Sequence, residues 1–503
     1  MEMSLREIVD ACARIDVGGK PLQECMRLGR HGFSAYWLGP LAEKNPLKTP
    51  ELAGAPLRRR GFTQAALEFT KIAWKVIYAR LMLGKPPGSI PPGSLLCVTY
   101  FPYLEPGPGY RNRYFTPLQD AARDEGVQIH WLLIHVNVDS HGFRDTIRLA
   151  REFRGQGEWM WPLESFIGLG DLAWMAVALL RNVIAYSWLR MDILRVMTSA
   201  DIVPPDWPLA RELIRRAFCG PEAVRGLFYL RAFGMIMHRA GKGSRCLYLA
   251  EAQSWEAALC GIAREHGVRT LAYPHSLAAR SATLWRHGPV QMRETPLPDT
   301  VLCDGEGAVE KFKGWGYNNV VMVESLRNLR LASVKPDKKD CPRYLLLAGT
   351  IRRDETEALL DLLQKALPDL DGWEVHVKSH PSCPIGEIDP NIHVDYGDIS
   401  YALERAHVVL TGTSSVAAEA LAHGCDVILA AFPGIPFLNV LGGHEKLYRM
   451  VYTPGQLISA LHWNRQHGLW ATRKSKREFR DRFWCLDPAL PRWRSVMKET
   501  SAQ

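Results

Sequence analysis

Several protein classes are excluded by what the chain lacks. Its 11 cysteines are odd in number and scattered (Cys12, Cys25, Cys97, Cys219, Cys246, Cys260, Cys303, Cys341, Cys383, Cys425, Cys485), with no C-x-x-C pair, so neither a disulfide framework nor a zinc site can be read. Cys246 in CLYLA and Cys425 in CDVILAA lie in apolar runs where a thiol acts as a small hydrophobe, which fits a reducing compartment. The opening MEMSLREIVDACARIDV places Glu2, Glu7 and Asp10 where a signal peptide needs an unbroken apolar stretch, so a cytoplasmic protein is expected. No H-E-x-x-H occurs, and the only D-x-D, Asp369 to Asp371, falls where a helix ends and reads as a loop, so no metal is expected. No Gly-Lys-Ser/Thr follows a glycine loop, so ATP chemistry is not indicated. Zinc-finger spacing, RNP-type aromatic boxes and helix-turn-helix signatures are also missing, which leaves nucleic acid without support as a partner. The longest membrane-like run, 172–189, is broken by Arg181 and Asn182 and reads as a buried or interfacial helix.

What is present is a globular composition. The 503 residues are 47% hydrophobic, 23% charged and 10% aromatic, enough for two or three domains, each with its own core. The net charge of +9 is concentrated: Arg58, Arg59 and Arg60 precede an apolar-aromatic helical pattern, and Arg473, Lys474, Lys476, Arg477, Arg480 and Arg482 crowd ten residues near the end. Such clusters suit an anionic membrane surface or an acidic glycan, or are simply solvated helix faces.

Residues 1–93 read as a helical extension and linker, closed by KPPGSIPPGS. The alternation of LLCVTYF, IHWLLIHV, CLYLAE, RTLAYPH, DTVLCDG and VVMVES with helical segments gives a first Rossmann-like domain over 94–325, carrying a helical insertion at about 140–240. A polar linker, 326–342, follows. A second Rossmann-like domain, 343–470, runs through RYLLLAGT, WEVHVKSHP, NIHVDYG, HVVLTG and DVILAAFP, whose near-continuous apolar strands imply burial on both faces. The expected fold class is α/β with two open parallel-sheet domains in series and a cleft between the carboxyl ends of their strands.

The chemistry-bearing residues cluster at those strand ends. In VVLTGTSSVAAEALAHG a strand ends at Thr411, Gly412, Thr413, Ser414 and Ser415 and a helix starts at once, offering hydroxyls and amides that suit a phosphate, or else an ordinary Ser/Thr cap. Glu419, one turn on, could accept from ribose hydroxyls. WEVHVKSHP ends in Lys378, Ser379, His380 and Pro381, where the imidazole could donate to a leaving phosphate; Gly349 and Thr350 close the neighbouring strand. In the first domain Glu251 follows a strand and His275 ends the next in YPHS, candidates for a general base or nucleophile on the acceptor side, or for a capping Glu and a packed His. Glu256 is read as structural, and Asp304 and Glu306 in LCDGEG as a loop around Gly305.

At these residues the sequence resembles bacterial GT-B glycosyltransferases that use CMP-activated sugars, the sialyltransferases and Kdo transferases, whose His-Pro and Ser-Ser/Thr motifs match His380-Pro381 and Ser414-Ser415. EKNPLKTPEL, YFPYLEP, EAQSWEAAL, YPHS, PLPDTVLCDG, VESLRNLRL and FWCLDPALPRW are similar to a bacterial surface carbohydrate biosynthesis family along nearly the whole length outside 140–240. The resemblance implies a transferase of O-antigen, capsule or similar glycan; a donor site made of helix dipole, Lys and His needs no divalent cation, so no metal and no cofactor are expected. It implies a CMP-sugar donor bound by the second domain, a glycan or lipid-linked glycan acceptor bound by the first, and a tail, 471–503, crossing back onto the first. Association with the inner face of the cytoplasmic membrane is expected from Arg58 to Arg60, the aromatic helical pattern behind them and the basic tail. One departure concerns the base: the acidic pair before glycine in sialyltransferases has only Asp304-Gly305-Glu306 as a counterpart, late in the first domain, which leaves Glu251 as the inferred base. UDP- or GDP-sugar transfer, nucleotide-sugar 2-epimerisation and a non-catalytic glycan assembly role are the competing readings.

Overall fold

The computed structural model describes residues 60–137, 141–199, 215, 218–240, 242–251, 253–274, 296–334, 343–381, 383–386, 388–435, 437 and 439–498. Two parallel sheets organise them. The first holds β1 (Leu95–Phe101), β2 (Ile129–His135), β3 (Met160–Pro162), β4 (Arg245–Leu249), β5 (Arg269–Tyr273), β6 (Thr300–Cys303) and β7 (Val320–Met322) in the order β3-β2-β1-β4-β5-β6-β7. The second holds β8 (Arg343–Ala348), β9 (Trp373–Lys378), β10 (His393–Val394), β11 (Val408–Thr411), β12 (Asp426–Ala430) and β13 (Tyr448–Val451) in the order β10-β9-β8-β11-β12-β13.

The central strands are mainly apolar because each sheet is covered on both faces. Leu96 and Val98 of β1 enter one core and Leu95 and Cys97 the opposite one. In the second sheet Leu346 and Val427 point one way and Leu345 and Ile428 the other. The strand order reverses between β1 and β4 and again between β8 and β11, which makes these two carboxyl edges the topological switch points of their sheets.

Helix α1 (Arg60–Leu83) is an extension in sequence but a wall of the first core in space: Ala65, Ile72, Val76 and Ala79 are buried with Val224, Leu227 and Ile236 of α2 (Pro221–Ala240). Residues 1–59 lie outside the described residues. The 140–240 stretch is not wholly helical. It begins with α3 (Phe143–Gly155) and then contributes β3, which pairs with β2 and widens the sheet. A three-residue strand ending in proline carries too little periodicity to be seen in the sequence. Helix α4 (Leu169–Ser199) has Leu172, Met175, Leu179 and Asn182 buried, while Leu169, Val177, Leu180, Ile184 and Trp188 are exposed. Its Leu169–Trp188 portion is long and apolar enough to cross a membrane.

The basic tail cluster is neither a purely solvated face nor a wholly free cationic one. Helix α5 (Arg473–Phe483) packs on the second domain, where Lys476 is 1% exposed and its ammonium lies 2.5 Å from Asp426. Arg482 pairs with Glu310 at 2.6 Å, and Arg480 with Asp481 at 2.9 Å. The chain then returns to the first domain through α6 (Pro491–Lys498). There the fully buried Glu324 carboxylate accepts from the amides of Arg492 and Trp493 at 3.2 and 3.1 Å, a charge placed where a helix N-terminus favours it. Arg494 reaches Asp124 and Glu125, both at 2.8 Å.

Candidate active site

At the first switch point, β1 ends beside β4. Glu251 follows β4, and its carboxylate stands close enough to Tyr100 of β1 for its charge to be felt there. Burial, and then the neighbouring Glu251 charge, push the Tyr100 phenol well above its ordinary range, so it stays protonated beside that carboxylate. Glu256 starts the next helix, α7 (Ser254–Glu265), and its carboxylate accepts from the amides of Glu251 and Gln253 at 2.8 and 2.9 Å, fixing the backbone on which Glu251 stands. Burial is also the main reason that the Tyr114 phenol, close enough to feel Glu251, is pushed up to about 12. His275 lies outside the described residues.

The second switch point gathers the ends of β9, β8 and β11. Gly349 follows β8, and its amide donates to the Lys378 carbonyl at 2.9 Å. A side chain at Gly349 would sit 3.3 Å from that oxygen, so the close approach of the two strand exits depends on glycine. Lys378, His380 and Ser415 are half-buried at this edge, and Pro381 is exposed. Thr350 and Thr411 turn inward. Thr411 donates to the Ala348 carbonyl at 2.8 Å, and Thr350 is 1% exposed, its amide donating to the Thr356 hydroxyl at 3.0 Å. Ser414 is 9% exposed and bonds locally within its turn.

A residue not singled out from sequence governs this loop. Glu355, 1% exposed on helix α8 (Arg353–Ala366), accepts the Thr413 amide at 2.7 Å, and a Cβ on Gly412 would overlap its carboxylate. One loop amide is therefore already taken by the Glu355 side chain. A ligand phosphate is better served on the side where Lys378, His380 and the Ser415 hydroxyl stand than over Thr413.

Glu419 lies on the short helix after the loop, α9 (Val416–Ala422), at 3% exposure. It faces two arginines of the segment leaving β7: Arg330 donates to it at 2.7 Å and also reaches Asp398 at 3.3 Å, and Arg327 stands 3.9 Å away. Arg327 is close enough to be felt by Tyr114, Tyr273 and Asp304 of the first domain. Arg327 thus lies between Glu419 of the second domain and Tyr114, Tyr273 and Asp304 of the first. Asp304, which the sequence leaves between a strand-end acid and a loop residue, follows β6 with its carboxyl pushed up to about 7 by burial, against the opposing effects of the Ser325 hydroxyl at 3.2 Å and of Arg327.

The arrangement defines a fold class: two Rossmann-like domains, each built on a parallel sheet with its own switch point, joined by a tail that crosses back, which is a GT-B fold. No protein-family model and no curated protein matches the chain. Among solved structures it is similar to MurG from Acinetobacter baumannii (TM-score 0.42, 11% identity, covering 82% of this chain and 100% of that one). It is similar too to the UDP-GlcNAc 2-epimerase from Methanocaldococcus jannaschii (TM-score 0.44, 10% identity, 80% and 99%). A third likeness is to the lipopolysaccharide outer core galactosyltransferase WaaB (TM-score 0.41, 10% identity, 81% and 99%).

Proposed function

We propose that the protein is a glycosyltransferase that moves a sugar from a nucleotide-activated donor to a glycan acceptor. The observation that carries this reading is the pair of carboxyl-edge clusters, Tyr100 and Glu251 at the switch point of one sheet and Lys378, His380 and Ser415 at that of the other, with Arg327 of the connecting segment near both Glu419 and Tyr114. A hydroxyl beside Glu251 loses its proton to that carboxylate as its oxygen attacks the anomeric carbon. The bond from that carbon to the donor phosphate breaks, the leaving phosphate gathers charge beside Lys378, and His380 supplies a proton to it. Glu419 keeps lone pairs for ribose hydroxyls while holding Arg330, since an ionised carboxylate has about four acceptor positions. His275 is assigned to the acceptor side on its sequence position alone.

The donor we assign is a CMP-activated Kdo-like or nonulosonic sugar, on the strength of His380-Pro381 and Ser414-Ser415. No metal or other cofactor is invoked, because in this reading Lys378, the Ser415 hydroxyl and the His380 imidazole meet the phosphate charge themselves. The acceptor is a growing surface glycan, free or lipid-linked, of the lipopolysaccharide O-antigen or capsule type. The enzyme works in the cytoplasm as a peripheral protein of the membrane's inner face. Supporting that placement, α4 exposes Val177, Leu180, Ile184 and Trp188, and α1 exposes Leu67, Trp74, Ile77 and Leu81. Residues 58–85 hold Arg58, Arg59, Arg60, Lys71, Lys75, Arg80 and Lys85 against the single acid Glu68, a charge suited to anionic lipid.

A thermal-shift panel with CMP, CDP, UDP and GDP tests the donor. A nucleotide at about 100 times its Kd stabilises the fold by roughly 2.7 kcal/mol. Selective stabilisation by CMP supports the assignment. Preference for UDP or GDP moves it to diphosphate-sugar transfer or 2-epimerisation, which conversion of the donor without acceptor would then identify. No shift with any nucleotide overturns the transferase reading in favour of a glycan assembly protein.

A further inference from the structure

A cavity of about 310 Å³ opens on the α1 side of the first sheet, at the carboxyl end of β2, next to the β1 edge that holds Tyr100. None of its polar residues takes part in the chemistry above. It is built from α1, β2, the turn Leu163–Phe166 and α2, which supply Lys75, His135, Glu164, Arg225, Phe228 and Tyr229.

Glu164 is the unusual member. Its side chain is buried, 5% exposed, and one carboxylate oxygen has no hydrogen-bond partner, although such atoms are almost always satisfied in folded proteins. Burial raises its pKa, and the nearby Lys75 charge opposes that shift. Lys75 itself makes no ion pair among the described residues; its ammonium stands 5.1 Å from the Phe143 ring centre. The other groups are committed. Arg225 holds Glu68 at 2.7 Å, and the His135 ring nitrogens meet Thr146 and Asn137 at 2.9 and 3.0 Å. Burial, with Lys75 adding to it, lowers the His135 pKa to about 4, so its imidazole is neutral.

The walls therefore offer an acceptor at Glu164, a donor at Lys75 and a phenol at Tyr229, over an apolar floor that includes Phe228. A phosphate would meet the Glu164 carboxylate, and a divalent cation would find no cluster of three ligating side chains among the described residues. An uncharged ring fits both demands at once: its hydroxyls donate to Glu164 and accept from Lys75 while its C–H face covers Phe228. The volume lies at the small end of ligand pockets, about 300–1,000 Å³, and suits one or two rings.

We infer that this cavity is a subsite for a sugar ring of the glycan acceptor, away from the reacting end and held chiefly by Glu164 and Lys75. The inference rests on the transferase reading for the word acceptor, but not for the binding itself. The test is saturation-transfer NMR on the full chain, without nucleotide, using the methyl glycosides of glucose, galactose, mannose, rhamnose and N-acetylglucosamine one at a time. At least one glycoside should receive saturation, and its Kd should rise about tenfold or more in Glu164→Gln and in Lys75→Met. Tyr229→Phe, which removes only the phenolic oxygen, should weaken binding less. Nucleotide-induced thermal shifts should be unchanged in all three, which separates this subsite from the donor site. Absence of saturation for every glycoside on the folded wild-type protein overturns the inference, and so does saturation that survives undiminished in both charge-removing variants. Glycoside binding with these losses in a protein that no nucleotide stabilises would keep the subsite and refute the transferase instead.

Discussion

Replacing Lys476 by Met probes what holds the returning tail to the second domain. Lys476 and Asp426 are 1% and 0% exposed and 2.5 Å apart; the ammonium also donates to the Gly424 carbonyl at 3.1 Å. The other Asp426 oxygen accepts from Asn464 at 2.6 Å and from the Trp470 amide at 3.1 Å. Removing one partner of a buried pair leaves the other charge uncompensated, at a typical cost of 3–5 kcal/mol, here about 4 kcal/mol. For a domain of this size that is a fall in Tm of about 10 °C. The loss should depend on pH. Burial already raises the Asp426 pKa, and without Lys476 it rises further, so the folded variant keeps a proton that the unfolded chain releases at ordinary carboxylate pKa. Stability of the variant therefore falls as pH rises through that interval, and the gap to wild type is narrower at pH 5 than at pH 8. Urea denaturation at both values measures it, with Lys476→Met/Asp426→Asn as the control that should recover much of the loss. A Lys476→Met deficit below about 1 kcal/mol at pH 8, or one identical at both pH values, would refute the reasoning.

Glu251→Gln should lower sugar transfer by about 10² to 10⁴ while leaving nucleotide-induced stabilisation intact, as read by single-turnover assay beside thermal shift. Asp304, raised to about 7 in the folded state, stabilises the fold below its unfolded pKa and loses that contribution as pH rises towards 7. Asp304→Asn should accordingly flatten the stability profile between about pH 4 and 7 in denaturant titrations. Gly305 is extended, and a Cβ there would overlap the Phe483 carbonyl oxygen, so Gly305→Ala should cost about 1–3 kcal/mol, seen as a lower urea midpoint. Vesicles of phosphatidylglycerol should carry the protein upward in flotation at low salt and release much of it at high salt. Leu180→Ser/Trp188→Ser should float less at both, and no flotation at low salt removes the membrane assignment.

The parts of the site legible in the sequence are those where an apolar run stops and polar residues begin, since a parallel strand buried on both faces announces its own carboxyl end. Lys378-Ser379-His380 and the Thr411–Ser415 turn were readable for that reason. Which hydroxyls stay at the edge was not, because Thr411 and Thr350 turn inward through contacts with neighbouring strand and helix that no local spacing encodes. Glu355 was invisible for the same cause: it lies 58 residues from the Thr413 amide it binds. Arg327 and Arg330 stood in a quoted segment without an assigned role, since only the folded chain sets them against Glu419, 89 residues beyond Arg330. The expectation that Lys476 belonged to a surface charge cluster failed because composition counts charges without locating their partners.

The chain joins its two halves twice, once leaving the first sheet after β7 and once returning between α5 and α6. A body attached at a single point can swivel in three senses, whereas one attached at two points turns mainly about the line between them, as a door does on a pair of pins. Glu324 seats the start of α6, and Gly305 lets the Phe483 carbonyl press against the first domain, so the second pin is firmly set. Opening and closing between the sheets then has little room to become sliding or twisting.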